Sequence, residues 1–177
     1  MFLTIFTLVH VALSLIGILS GLVVMYGLLA RKRLDGWTAT FLTTTVATSL
    51  TGFGFPFHGF TPAHAVGILS LVFLAFAIGG RYRHVLARSW RWIYVISATI
   101  SLYFNVFVLV VQAFQKIPLL KEMAPTQSEP PFVLTQLVVL TLFVVLGVLA
   151  VIRFRIERVV HIVVKPIGIA NVTPSHR

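Results

Sequence analysis

The sequence predicts an all-α integral membrane bundle of five transmembrane helices, with the N-terminus outside and the C-terminus cytoplasmic. Three observations carry that reading. Of the 177 residues, 58% are hydrophobic and 10% charged, and the mean hydropathy of +1.01 lies far outside the range of a soluble domain. Apolar runs cover residues 3–30, 37–57, 64–80, 92–114 and 132–152, each close to the roughly 20 residues a helix needs to cross the hydrocarbon layer. The basic residues then alternate in number from loop to loop. Arg31, Lys32, Arg33, Arg81, Arg83, Arg88, Arg91, Arg153, Arg155, Arg158, Lys165 and Arg177 fall on one side, against Lys116 and Lys121 on the other. Twelve against two is a strong positive-inside asymmetry.

The first segment also resembles a secretory leader in being apolar and N-terminal. It has no basic n-region, its positive charges follow the run, and it is too long for an h-region, so it is expected to stay as the first span. Along it His10, Ser14, Gly17 and Gly21 recur at helical spacing and form one small, polar stripe. Gly17 and Gly21 make a GxxxG, which permits close helix approach. An ionisable side chain at the depth of His10 is expensive unless it faces protein or a wet cavity.

The second segment places Thr44, Thr48 and Thr51 on one face. Pro56 and Gly59 then break helical geometry around His58. Thr61 and Pro62 are a helix-start signature, a hydroxyl to cap free N–H groups and a proline at the first helical position. His64 follows near the positive end of that helix dipole, which disfavours an imidazolium and leaves a lone pair for a proton donor or a metal. The fourth segment aligns Ser101, Asn105 and Gln112, with Asn105 expected at about the depth of His10. The stretch KIPLLKEMAPTQSEPP reads as an extracellular lid or a short interfacial helix ending at Pro125. The fifth segment brings Gln136 near its outer end. Trp37, Trp90 and Trp92 read as interface anchors at inner span ends. The chain thus divides into one transmembrane domain, 1–155, and a cytoplasmic tail, 156–177, expected along the inner surface. The Asn171 glycosylation pattern falls on the cytoplasmic side and is discounted.

Several chemistries are disfavoured. The chain has no cysteine, hence no disulfide, thiol nucleophile or thiolate metal site. Asp35, Glu122, Glu129 and Glu157 all lie outside the apolar runs, which removes the buried carboxylate a proton-coupled transporter would use. Ser14 lies one turn from His10, but no acid completes a triad. There is no HExxH, P-loop or dinucleotide fingerprint, and the net charge of +10 is dealt out between spans, so nucleic acid is not an expected partner.

The polar stripes predict an outer-leaflet pocket formed by His10, His64, Asn105 and Gln112 that binds a cofactor or small ligand. Two imidazoles from different helices suit the axial positions of a b-type haem, and one imidazole with Asn105 and Gln112 suits a quinone headgroup in membrane electron transfer. His10, His58 and His64 are the candidate metal ligands. The alternative is a non-redox accessory or structural subunit, or a small-solute channel or transporter, with the same polar groups acting as interhelical glue and His10 bonded to Asn105 or a serine. No catalytic residue is assigned. The stretches LYFNVFVLVVQAFQK and APTQSEPPF resemble a group of uncharacterised small multi-pass membrane proteins of bacteria. That resemblance implies only the multi-pass class and no activity; the expected location is a bacterial inner (cytoplasmic) membrane. The lipid bilayer is the expected partner, with a homo-oligomer or a larger membrane complex around it.

Overall fold

A computed structural model describes residues 1–55, 62–87 and 89–154. His58, Thr61, Arg88 and the tail with His161 and Asn171 therefore lie outside the described residues. Those residues form helices α1 (Phe2–Leu29), α2 (Asp35–Gly52), α3 (Pro62–Ile78), α4 (Trp90–Lys116), α5 (Pro118–Met123) and α6 (Pro130–Arg153), with α3 continuing as one π-helical turn, Gly79–Arg83. Four stretches are long and apolar enough to cross a membrane: α1, α3 with its π turn, α4 and α6. Several such helices in one chain are what a multi-pass membrane protein presents.

Helix α2 is not among the four. Of its 18 residues seven are threonine and one serine, which lowers its hydropathy. The helix tolerates them in part because four of the hydroxyls are satisfied locally: Thr38, Thr40, Thr44 and Thr51 each donate to the carbonyl four residues back, at 2.7–3.1 Å. Helix α2 nevertheless runs antiparallel to α1 over its whole length. Gly27 lies against Leu34, Gly21 against Phe41, Gly17 against Thr44 and Thr45, and His10 beside Thr51.

The same antiparallel pairing repeats around the bundle. Ser49 meets Ser70 between α2 and α3, Phe73 meets Phe104 between α3 and α4, and Tyr103 meets Phe143 between α4 and α6. Helix α1 packs on α4 through Gly17 and Gly21, so α1 to α4 close a ring, and α6 lies against α1 and α4 outside it. The ring is filled by Phe41, Leu42, Leu74, Tyr94, Val95 and Leu102. All buried residues of α1 lie from Gly17 onward, so the tight core sits in the half of the bundle towards the 31–34 loop.

The topology gathers Arg31, Lys32, Arg33, Arg81, Arg83, Arg91 and Arg153 at one end, here called the arginine end. His10, Thr51 and His64 mark the other, histidine end. At the arginine end α1 stops in a Schellman arrangement, with the Lys32 N–H donating to Gly27 O at 2.8 Å and the Arg31 N–H to Leu28 O at 3.4 Å. The left-handed residue in it is Arg31, at φ 59. Glycine takes that conformation freely, whereas a side chain there costs about 1 kcal/mol.

One cation at this end is not at the surface. Arg81, counted by the sequence only as lying on this side, is buried. The π turn carries it inward, where its guanidinium pairs with Asp35 and lies 5.2 Å from the centre of the Tyr94 ring. Asp35 itself is exposed and also lies 3.7 Å from Arg33. Val85 and Leu86 follow at φ 47 and 58, a strained turn held by the burial of Leu86 and by its N–H bond to Gly80 O at 2.9 Å.

At the histidine end α5 and α6 both begin on proline at the first helical position, Pro118 and Pro130. The stretch read from the sequence as a lid or a short interfacial helix ending at Pro125 contains the short helix α5, which ends at Met123. Slight desolvation pushes the Glu129 carboxyl up, but bonds from the Thr126 hydroxyl and the backbone N–H groups of Thr126 and Ser128 outweigh it and hold the carboxyl below its ordinary range.

Candidate functional site

The histidine end is built on the turn that ends α2. His10 projects from α1, half-buried, and its Nδ1 lies 2.8 Å from Thr51 Oγ1. The Thr51 hydroxyl hydrogen is already committed, because Oγ1 lies 2.8 Å from Ala47 O and 3.1 Å from Thr48 O. Turning that hydrogen towards His10 would leave two oxygens in contact with no hydrogen between them. Thr51 therefore accepts, Nδ1–H donates, and the Nε2 lone pair of a neutral His10 is left for another partner. An imidazole oriented through Nδ1 in this way is the arrangement that presents Nε2 to a ligand.

Aromatic rings wall the same place. The His10 ring meets Phe55 edge-on with centroids 5.2 Å apart, Phe55 meets Phe6 at 5.0 Å, and Phe6 stacks on Phe2 at 6.3 Å. The close approach depends on Gly54, where a Cβ would lie 2.8 Å from Phe6 Cζ. On the other side of the turn Phe53 packs against His64 at 5.8 Å and faces Gly67. His10 and His64, the two histidines of the expected pocket, thus share one end and one turn. His10 rests on Phe55, and His64 on Phe53.

The other two residues of the expected pocket fall elsewhere. Asn105 is buried and donates through Nδ2 to Thr45 Oγ1 at 3.1 Å, beside Gly17. It is deeper than the depth of His10 at which the sequence placed it, because Gly17 lies seven residues, about 10 Å, further along α1. Gln112 is exposed. It shares the angular face of Ser101 and Asn105, but it lies beyond the part of α4 that α1 covers closely. The partner of His10 is Thr51, in place of the Asn105 or serine expected in a purely structural reading. Gln136 donates to Phe107 O at 3.3 Å and joins α6 to α4.

Two buried oxygens, Thr48 Oγ1 and Gln136 Oε1, have no hydrogen-bond partner among the described residues. Thr48 sits on α2 between the Asn105–Thr45 bond and the His10–Thr51 bond. Among the described residues no three His, Cys, Asp or Glu side chains come together as a metal site; His58, the third candidate ligand, lies outside them.

The sequence reading missed the Asp35–Arg81–Tyr94 node at the opposite end. One signal for it was present: among the described residues Asp35 is the single acid amid seven cations there. Compared with family models, with curated proteins and with solved structures, the chain matches none.

Proposed function

We propose that the chain is a five-span protein of a bacterial inner membrane, with its N-terminus outside, that binds a small ring-shaped ligand in the outer leaflet at His10. Two features support the topology: α2 pairs with α1 along the whole of its own 18 residues, from Gly27 to His10 of α1, and the cations gather at the end that the positive-inside rule assigns to the cytoplasm. Cysteine labelling from the outside is expected to modify a probe placed at Lys121 and to spare probes at Arg31 and Arg83. Outside labelling of either arginine position rejects the orientation.

The observation that carries the ligand reading is the His10–Thr51 bond, which leaves Nε2 as an acceptor beside Phe55 and Phe6. Such an acceptor takes a hydroxyl donor on a flat ring, which is the chemistry of a reduced quinone headgroup. A b-type haem held by His10 and His64 would use the same lone pair on iron and draws less support, because the imidazoles rest on different phenylalanines of the turn.

A short-chain quinol is expected to raise the melting temperature of the purified protein, and His10→Ala to abolish that rise while the ligand-free protein still folds. An equal rise in the variant rejects the site. A Soret band in the purified wild type replaces the quinol with haem. One observation favours an accessory or structural subunit, alone or in an oligomer. Helix α6 turns an apolar face outward, with Leu134, Leu137, Val138 and Val145 exposed, and lipid or a neighbouring subunit could cover it.

A further inference from the structure

We propose that the Arg31–Lys32–Arg33 loop at the arginine end is a binding site for the phosphate group of an anionic phospholipid. The first observation is charge. Arg31, Lys32, Arg33 and Arg83 are all exposed and surround what is, among the described residues, a single acid at this end, Asp35, whose carboxylate is already engaged by the buried Arg81 and approached by Arg33 at 3.7 Å. The Asp35–Arg81 pair ties the 31–34 loop to the π turn, so Arg83 is held on the same rim as the loop cations.

The second observation is conformational and independent of charge. Arg31 occupies the left-handed position of the Schellman arrangement, where glycine would relieve the backbone. A cation kept at a strained position marks a place where the side chain has a task other than stability. The third is depth. Exposed Trp37, Tyr82 and Trp92 ring the same end, and such side chains settle at headgroup level. The loop cations beside them therefore lie in the layer of lipid phosphates. Guanidinium groups bind phosphate through paired N–H donors, and juxtamembrane cations concentrate anionic lipid.

The inference needs only the residues that share this end, and stands apart from the reading of His10. It is tested with the full-length protein in neutral detergent, melted in the presence of phosphatidylglycerol, phosphatidylcholine or inorganic phosphate. The anionic lipid is expected to raise the melting temperature, with the other two having no effect. Arg31→Gly is expected to melt higher than wild type without lipid and to need about fivefold more phosphatidylglycerol for the same shift, with a similar factor for each further cation lost. Arg31→Gly/Lys32→Gln/Arg33→Gln should lose the shift. The opposite signs of basal and lipid-dependent effects in Arg31→Gly separate a binding role from a folding role. Equal stabilisation by phosphatidylcholine, reproduction of the shift by inorganic phosphate, or an unchanged lipid response in the triple variant each overturns the proposal.

Discussion

Gly21→Leu is expected to be the most damaging single substitution in the bundle, lowering stability by more than about 3 kcal/mol, beyond the range usual for overpacking. Even a lone Cβ at position 21 would lie 2.5 Å from Leu102 Cδ1 and 2.9 Å from two ring carbons of Phe41. Both neighbours are only 1% exposed, so neither has room to retreat. The backbones of α1, α2 and α4 would have to separate where they close the ring. Gly21→Ala should cost less, about 1–3 kcal/mol. Gly17→Leu should act through chemistry as well as volume, because a Cβ there meets Thr44 Oγ1 and Thr45 Oγ1 at 3.2 Å and Asn105 Nδ2 at 3.5 Å, across the Asn105–Thr45 bond. Gly36, with nothing within 4 Å of its Cβ position, is the control, and Gly36→Ala should be neutral or slightly stabilising. Thermal unfolding in detergent reads all four variants. Wild-type melting of Gly21→Leu would show that α1 does not close on α4 through this face.

Asp35→Ala is expected to cost about 2–4 kcal/mol. Removing one partner of a buried ion pair typically costs about 3–5 kcal/mol, because the remaining charge stays buried without compensation. The lower figure applies because Asp35 is 71% exposed at its side chain while Arg81 is 3% exposed, so water shares the carboxylate but barely reaches the guanidinium. The Tyr94 ring face, 5.2 Å away, offsets a fraction of the loss. The double variant Asp35→Ala/Arg81→Met should recover most of the stability, since it removes the stranded charge and leaves a flexible apolar chain in its place. A double variant as unstable as Asp35→Ala would mean that Arg81 acts through its shape, with the charge pair contributing little.

The spans α1, α3, α4 and α6 were legible in the sequence because a membrane helix needs nothing beyond length and apolarity. The start of α3 at Pro62 was legible for the same local reason, a proline placed where its missing N–H costs nothing. The contacts of the candidate site were less so. Helical spacing gives the face on which His10, Asn105 and Gln112 lie, but not the depth at which α1 and α4 meet. That depth is set by Gly17 and Gly21 fitting Asn105, Leu102 and Phe41, which puts Asn105 below His10 and leaves Gln112 exposed. Thr51 as the partner of His10 follows from the α1–α2 register, itself fixed by a loop of five residues, 30–34. The inward turn of Arg81 rests on a π-helical turn, for which the GGRYR stretch gives no periodic signal.

The hydroxyl-rich character of α2 has a consequence for how the protein is made. On the five-span reading this segment must leave water although it is too polar to be recognised for insertion by its own apolarity. Its hydroxyls become inexpensive only when the helix has formed and folded them back on its carbonyls, and when His10, Gly17 and Gly21 of α1 are alongside. The two segments would then enter the bilayer as one preformed hairpin, with α1 as the carrier. Biogenesis would wait on the short loop at Arg31 closing before α2 is committed to the lipid.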